Sequence, residues 1–257
     1  MGTSLAGQGE RLSYVRDPST SAAFDPCRIL EDLHEDGAAL AMLPWQSGLR
    51  MAASDHLILA NASDSGRCLG ALAASDRGTE HEPFLFLDGA YLAPAAPALL
   101  TLHRMLAFAM LRIAGSESVP SIIAACVQGP CYVGMLRRFG QQFSAAALFP
   151  ALPEDVVTDL GMASLARRIV RVVRPGSRCD VVNGRFHAAS LAYATGGHSS
   201  TETLVVLDLS RANDAAILED ARLLYRARLP RGTRHNTVTD LGEPPLQKQV
   251  LRDATAM

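Results

Sequence analysis

No two of the five cysteines, Cys27, Cys68, Cys126, Cys131 and Cys179, form a Cys-x-x-Cys pair. An odd set of scattered thiols favours neither a disulfide framework nor a zinc site, so reduced thiols of a cytoplasmic protein are expected. Charge of one sign is lacking as well. The formal net charge is −2, so the molecule as a whole is not drawn to nucleic acid or to an anionic lipid surface. Long apolar runs are missing too. A membrane-spanning helix needs about 20 uninterrupted apolar residues, and the most apolar segment, 90–114, is broken by Pro94, Pro97, His103, Arg104 and Arg112. Residues 1–10 have neither the basic start nor the apolar core of a secretory signal. The signatures G-x-S-x-G, H-E-x-x-H, Walker A and G-x-G-x-x-G are all absent. The expectation is a soluble cytoplasmic protein with no metal.

What is present is the composition of a globular chain. Of 257 residues, 48% are hydrophobic and 19% charged, enough for one domain with an extension or for two small ones. The stretch 82–140 organises the rest. Pro83 to Leu92 alternates and is rich in aromatic and aliphatic residues, which predicts a strand. Pro94 and Pro97 break it and suit the entry to a helix over 98–113, built from Leu, Ala, Met and Phe. Gly115 ends that helix, and 121–127 reads as a buried strand. A turn at 128–130 leads into a short helix, 131–139, with Gly140 as its C-cap. Strand, helix, strand at these lengths is a crossover unit, whose two strands lie parallel.

On the N-terminal side, residues 1–25 are polar and read as a poorly ordered tail. Asp25-Pro26 starts a helix with an apolar stripe of Cys27, Ile29, Leu30 and Leu33, stopped by Gly37. A short strand over 38–43 and a turn at Pro44-Trp45 follow. Strands at 56–62 and 68–74 make a hairpin. His81, between two glutamates, is read as part of a solvated loop. On the C-terminal side, a strand is predicted over 143–149, a helix over 154–173 and a strand over 203–209. A helix over 212–227 comes last, before a polar end. The domain boundaries are therefore set at 1–25 for the tail, 26–150 for the first domain and 151–257 for an extension. The extension's apolar stripe, Val157 to Val172, must pack on the first domain or on a second copy of the chain.

The order of elements over 25–149 resembles the GNAT superfamily of acyltransferases. Tyr91-Leu92-Ala93-Pro94 resembles the V-x-P that ends the family's central strand. The segment Gln128-Gly-Pro-Cys-Tyr-Val-Gly-Met-Leu-Arg-Arg-Phe-Gly140 resembles its N-x-x-A-x-x-x-Y-x-x-x-G-F stretch. The resemblance implies an α/β fold: a mixed, mostly antiparallel sheet with one splayed parallel pair, flanking helices and here a C-terminal α/β extension. It implies transfer of an acetyl or longer acyl group from coenzyme A to a small-molecule or peptide amine. The backbone of Ala90, Tyr91 and Leu92 would hold the acyl group, and Leu99, Leu100, Thr101, Arg104 and Gln128 would face the coenzyme. Asp88, the carboxylate inside the central strand, would act as general base, or else sit in a turn with Gly89. Tyr132 would act as general acid, or else pack between helix and sheet.

The departures from the family are specific. Ala98, Leu100 and Leu102 stand where its pyrophosphate-binding glycines belong, Leu136 replaces its tyrosine, and Gly129 its asparagine. Two alternatives stay open beside the coenzyme A enzyme. One is a GNAT-like binding or assembly protein without catalysis. The other is an N-acyl synthase fed by acyl carrier protein, which would meet Arg137, Arg138 or the 167–174 arginine face.

Overall fold

The computed structural model describes residues 10–21, 24–35, 44–79, 82–93, 98–116, 118–128, 130–150, 160–177, 180, 184–185 and 202–227. Among them, seven strands form one sheet: β1 Glu10–Arg16, β2 His56–Ala62, β3 Cys68–Thr79, β4 Glu82–Leu92, β5 Ile122–Gln128, β6 Ala147–Phe149 and β7 Glu202–Asp208. The helices are α1 Pro26–Glu35, α2 Pro44–Ala52, α3 Ala98–Ala114, α4 Pro130–Gly140, α5 Leu160–Val173 and α6 Asp214–Arg226. The strand order is β1-β2-β3-β4-β5-β7-β6. Every neighbouring pair is antiparallel except β4 and β5, the two ends of the crossover through α3.

Alternation along the strands divides the core between two faces. Leu72, Leu85, Leu87, Ile123 and Leu207 join Met105, Leu106 and Met110 of α3 and Met135 and Phe139 of α4. These α3 residues recur at helical spacing, so one side of the helix is buried against the sheet. On the other face the apolar cover comes in two blocks. Ile29, Leu30 and Leu33 of α1 and Met51 of α2 pack on Leu57, Ala71, Ala73 and Tyr91. Met162, Leu165 and Ile169 of α5 pack on Phe84, Ala124, Leu204 and Val206. Among the described residues no helix is long and apolar enough to cross a membrane.

Several expectations need correction. The segment read as a tail contains β1, an edge strand paired with β2 over its whole length. The boundary at 150/151 does not divide the sheet, because β7 inserts between β5 and β6 and extends one sheet across it. Pro44 opens a helix rather than a turn, as its missing N–H allows at a first helical position. The strand expected over 143–149 is confined to β6, and Phe143 instead packs edge-on against Phe139 at 5.1 Å. The described part of the long helix begins at Leu160; residues 154–159, like the strand expected over 38–43, lie outside the described residues. Gly140 ends α4 without a left-handed φ. Its role is close approach, since a Cβ there would come within 2.6 Å of Leu148 and 2.8 Å of Leu207.

Candidate active site

β4 and β5 pair at only three positions, Leu85 with Ile123, Phe86 with Ala124 and Leu87 with Ala125. Beyond Leu87 the ladder stops. The cause lies on the opposite side of β4: Ala74 pairs with Leu87 and Ala73 with Gly89, so Asp88 is an extra residue. Such a bulge bends its strand and increases the local twist. It therefore carries Asp88 to Leu92 away from β5, while β5 stays paired with β7 through Gln128. The result is a gap bordered by residues 88–92 of β4 and 126–128 of β5. This is the splayed parallel pair that the resemblance implies.

Alternation from Phe84 and Phe86 sets where Asp88 points. Its carboxylate lies on the α1/α2 face with Ser75, whose hydroxyl donates to Oδ2 at 2.5 Å. Arg77 Nη2 lies 3.8 Å from Oδ1, and Arg50 Nη1 donates to the Asp88 carbonyl oxygen at 3.4 Å. The side chain is 16% exposed. Burial raises its pKa above the ordinary carboxylate value, against the smaller lowering effects of the Ser75 hydrogen bond and the two guanidinium groups. Gly89 follows because the Tyr91 ring lies across it: a Cβ would meet Tyr91 Oη at 2.7 Å.

The other expected site residues are placed as follows. Ala90, Tyr91 and Leu92 form the β4 border of the gap; Tyr91 is buried on the α1/α2 face, and Ala90 and Leu92 pack on the α3 face. Gln128 is at the end of β5, its backbone paired with Glu202. Tyr132 is half-buried and packs against the core on the α3 side of the sheet, so the structure places it on the face opposite Asp88. Leu136 is buried in that same core. Beside the paired stretch on this side, Leu87, Leu106, Leu136 and Phe139 surround a void of about 10 Å³, room for one water at most.

Leu99 and Leu100 are half-buried at the start of α3, and Leu99 packs on the core. Thr101 and Arg104, in the first two turns of α3, are both engaged by Glu10. Thr101 donates to Glu10 Oε2 at 2.8 Å, and Arg104 Nη1 pairs with Glu10 Oε1 at 2.9 Å. Arg104 Nε also donates to the Tyr225 carbonyl at 3.2 Å, with the guanidinium 5.9 Å over the Tyr225 ring. These groups tie β1 and α6 to α3. His103, also in α3, bonds the Met135 carbonyl at 2.9 Å through Nε2; burial lowers its pKa, so it is a neutral staple between α3 and α4.

Ser75, Arg50 and Arg77 are site residues that sequence reasoning missed. They come from two other elements, and nothing in their local sequence marks them. The bulge does have a signal: an isolated glycine inside a strand, Gly89, is a common mark of one. A larger cleft, about 240 Å³, lies at the other end of β4 and β5 beside Glu82, Arg168, Asp208 and Arg211, away from the parting strands. Arg168 spans part of it in a two-pronged pair with Glu82, which accounts for both groups.

No family model and no curated protein matches the chain. Among solved structures, it is similar to the diaminobutyrate acetyltransferase of Paenibacillus lautus, determined with L-2,4-diaminobutyric acid and coenzyme A. The identity is 14%, covering 80% of this chain and 99% of that one, with a TM-score of 0.41. An N-acetyltransferase from Staphylococcus aureus Mu50 matches at 7% identity over 79% and 99% of the two chains, TM-score 0.43. A GNAT-family acetyltransferase from Streptococcus pneumoniae matches at 12% identity over 76% and 98%, TM-score 0.39. Scores this low carry no argument about activity or substrate.

Proposed function

We propose that the chain transfers an acetyl or longer acyl group from a coenzyme A thioester to an amine. The observation that carries this reading is the bulge at Asp88, which opens the sheet beside a half-buried carboxylate. A thioester carbonyl lying along Ala90 to Leu92 would meet backbone N–H groups on a strand side with no ladder, and these would stabilise the oxyanion of the tetrahedral intermediate. The amine nitrogen attacks the carbonyl carbon, Asp88 takes its proton, and collapse of the intermediate breaks the carbon–sulfur bond. The leaving group is a thiolate, a far weaker base than the amine's conjugate base, so it departs without a side-chain acid. Leu136 in place of a tyrosine is compatible with that. Positioning supplies most of what such a reaction needs.

A second reading is favoured by Glu10. Its carboxylate, 9% exposed, is held by Thr101 and Arg104 early in α3, close to the helix end where a pyrophosphate would bind. An acyl group delivered by acyl carrier protein needs no pyrophosphate cradle. Calorimetric titration with acetyl-coenzyme A and with an acyl-loaded carrier protein separates the two. Binding and turnover of the free coenzyme thioester supports the first reading, and turnover with the carrier alone supports the second.

A further inference from the structure

Two arginines converge on Asp88, and the amine chemistry above uses neither. Arg77 of β3 is about half exposed, and its distance of 3.8 Å from the Asp88 carboxylate is beyond a hydrogen bond. Arg50 is exposed in the last turn of α2, and its 3.4 Å contact with the Asp88 carbonyl is at the limit of one. Each guanidinium has five N–H donors in a planar fork. Between them, these two long contacts leave most donors on the rim of the gap available to a ligand. Neither arginine neutralises Asp88 as a close ion pair would, since burial outweighs their combined effect on its pKa. Asp55, the other carboxylate in this group, is engaged through Oδ2 by the backbone N–H of Asp76.

The charge pattern discriminates between acceptors. An amine without an acidic group would bring its ammonium past two cations to reach one half-buried carboxylate. An amine with its own carboxylate would set the ammonium against Asp88 and the carboxylate against a guanidinium fork, the geometry arginine is built to recognise. We propose that Arg50 and Arg77 form an anion clamp beside Asp88 that selects acceptors of the free amino acid class. This rests on the acyl-transfer reading and names the acceptor within it.

The test uses the full chain and matched pairs of probes: glycine with methylamine, L-ornithine with putrescine, and L-lysine with cadaverine. Acetyl-coenzyme A binding is measured first by calorimetry, which judges the donor independently of the acceptor. Thiol release is then followed with each amine, for the wild type and for Arg50→Ala, Arg77→Ala and Arg77→Lys, all checked for folding by circular dichroism. The clamp predicts that an amino acid beats its decarboxylated partner in kcat/KM. Loss of either arginine should raise the amino acid's KM by about ten- to a hundredfold, the worth of charge-assisted hydrogen bonds. Arg77→Lys should recover part of that loss. Equal use of the decarboxylated amines, or unchanged KM in both alanine variants, overturns the proposal. So does thiol release with none of these amines when acetyl-coenzyme A binds. If acetyl-coenzyme A does not bind, the acyl-transfer reading fails on its own. Direct titration with the amino acids then decides the clamp: binding lost in the double alanine variant supports it, and no binding overturns it.

Discussion

The buried hydroxyl of Ser75 donates to the Asp88 carboxylate at 2.5 Å. Alternation makes this pairing: Ser75 pairs with Phe86, and Asp88, two residues on, shares the face of Phe84 and Phe86, while the extra residue shifts the facing of the residues that follow.

Asp88 accepts a proton only when ionised, and burial raises its pKa. Turnover should therefore fall as pH drops through a value raised above aspartate's ordinary one. Asp88→Asn should lower kcat by about 10²- to 10⁴-fold, the usual worth of a general base. The defect should shrink at high pH, where free amine is abundant. Ser75→Ala removes a hydrogen bond that lowers the Asp88 pKa, so the acid limb of the pH–rate profile should move upward. Stability runs the opposite way to activity. A raised folded-state pKa favours folding below the ordinary aspartate value and loses that contribution as pH rises through the raised one. Asp88→Asn should thus melt no lower than wild type at pH 7.

Gly89→Ala forces a Cβ to within 2.7 Å of Tyr91 Oη and 2.9 Å of its Cζ. The aromatic ring is held among Ala71, Ala73 and Met51 and has little room to retreat. Overpacking of this kind costs about 1–3 kcal/mol. A denaturant titration should show it as a lower midpoint with an unchanged slope.

Glu10→Ala leaves Arg104, 19% exposed, without its carboxylate and Thr101 without its acceptor. Losing these charge-assisted hydrogen bonds in a part-buried pair costs about 1.5–3 kcal/mol. The same variant should free β1 from α3, which hydrogen exchange over residues 10–16 would register as faster exchange.

Glu82 has its pKa lowered chiefly by the hydrogen bond from Arg168. A depressed folded-state pKa gives stability that is present above the ordinary glutamate value and lost as pH falls through the depressed one. Both side chains are partly solvated, 31% and 47% exposed, so the pair is worth at most about 1 kcal/mol. Glu82→Gln should lower the urea midpoint slightly at pH 7, and the difference from wild type should vanish once the pH has fallen through the depressed value.

The crossover unit was legible because its residues agree at every level. The 98–113 run has helix formers with an apolar stripe, and β4 and β5 have the bulk and length of buried strands. β1 was not, because seven residues, Glu-Arg-Leu-Ser-Tyr-Val-Arg, alternate too briefly to stand out from a polar terminus. Missing β1 also hid Glu10, and with it the reason Thr101 and Arg104 share a side of α3. The strand character of 202–208 was readable, but not its insertion between β5 and β6. Neighbours in a sheet are set by packing across the chain, which local pattern does not record. At the site, Asp88 stood out as a carboxylate inside an apolar strand. Ser75 and Arg77 from β3 and Arg50 from α2 reach it only through tertiary structure.

The central claim is that acyl-coenzyme A lies in the gap between β4 and β5. Amide hydrogen exchange with and without saturating acetyl-coenzyme A tests it most directly. The account predicts slower exchange across residues 88–92 of β4 and 126–128 of β5, with little change in β1 and β2. Protection confined to the far cleft beside Arg168 and Arg211, or no change anywhere at millimolar ligand, would contradict it.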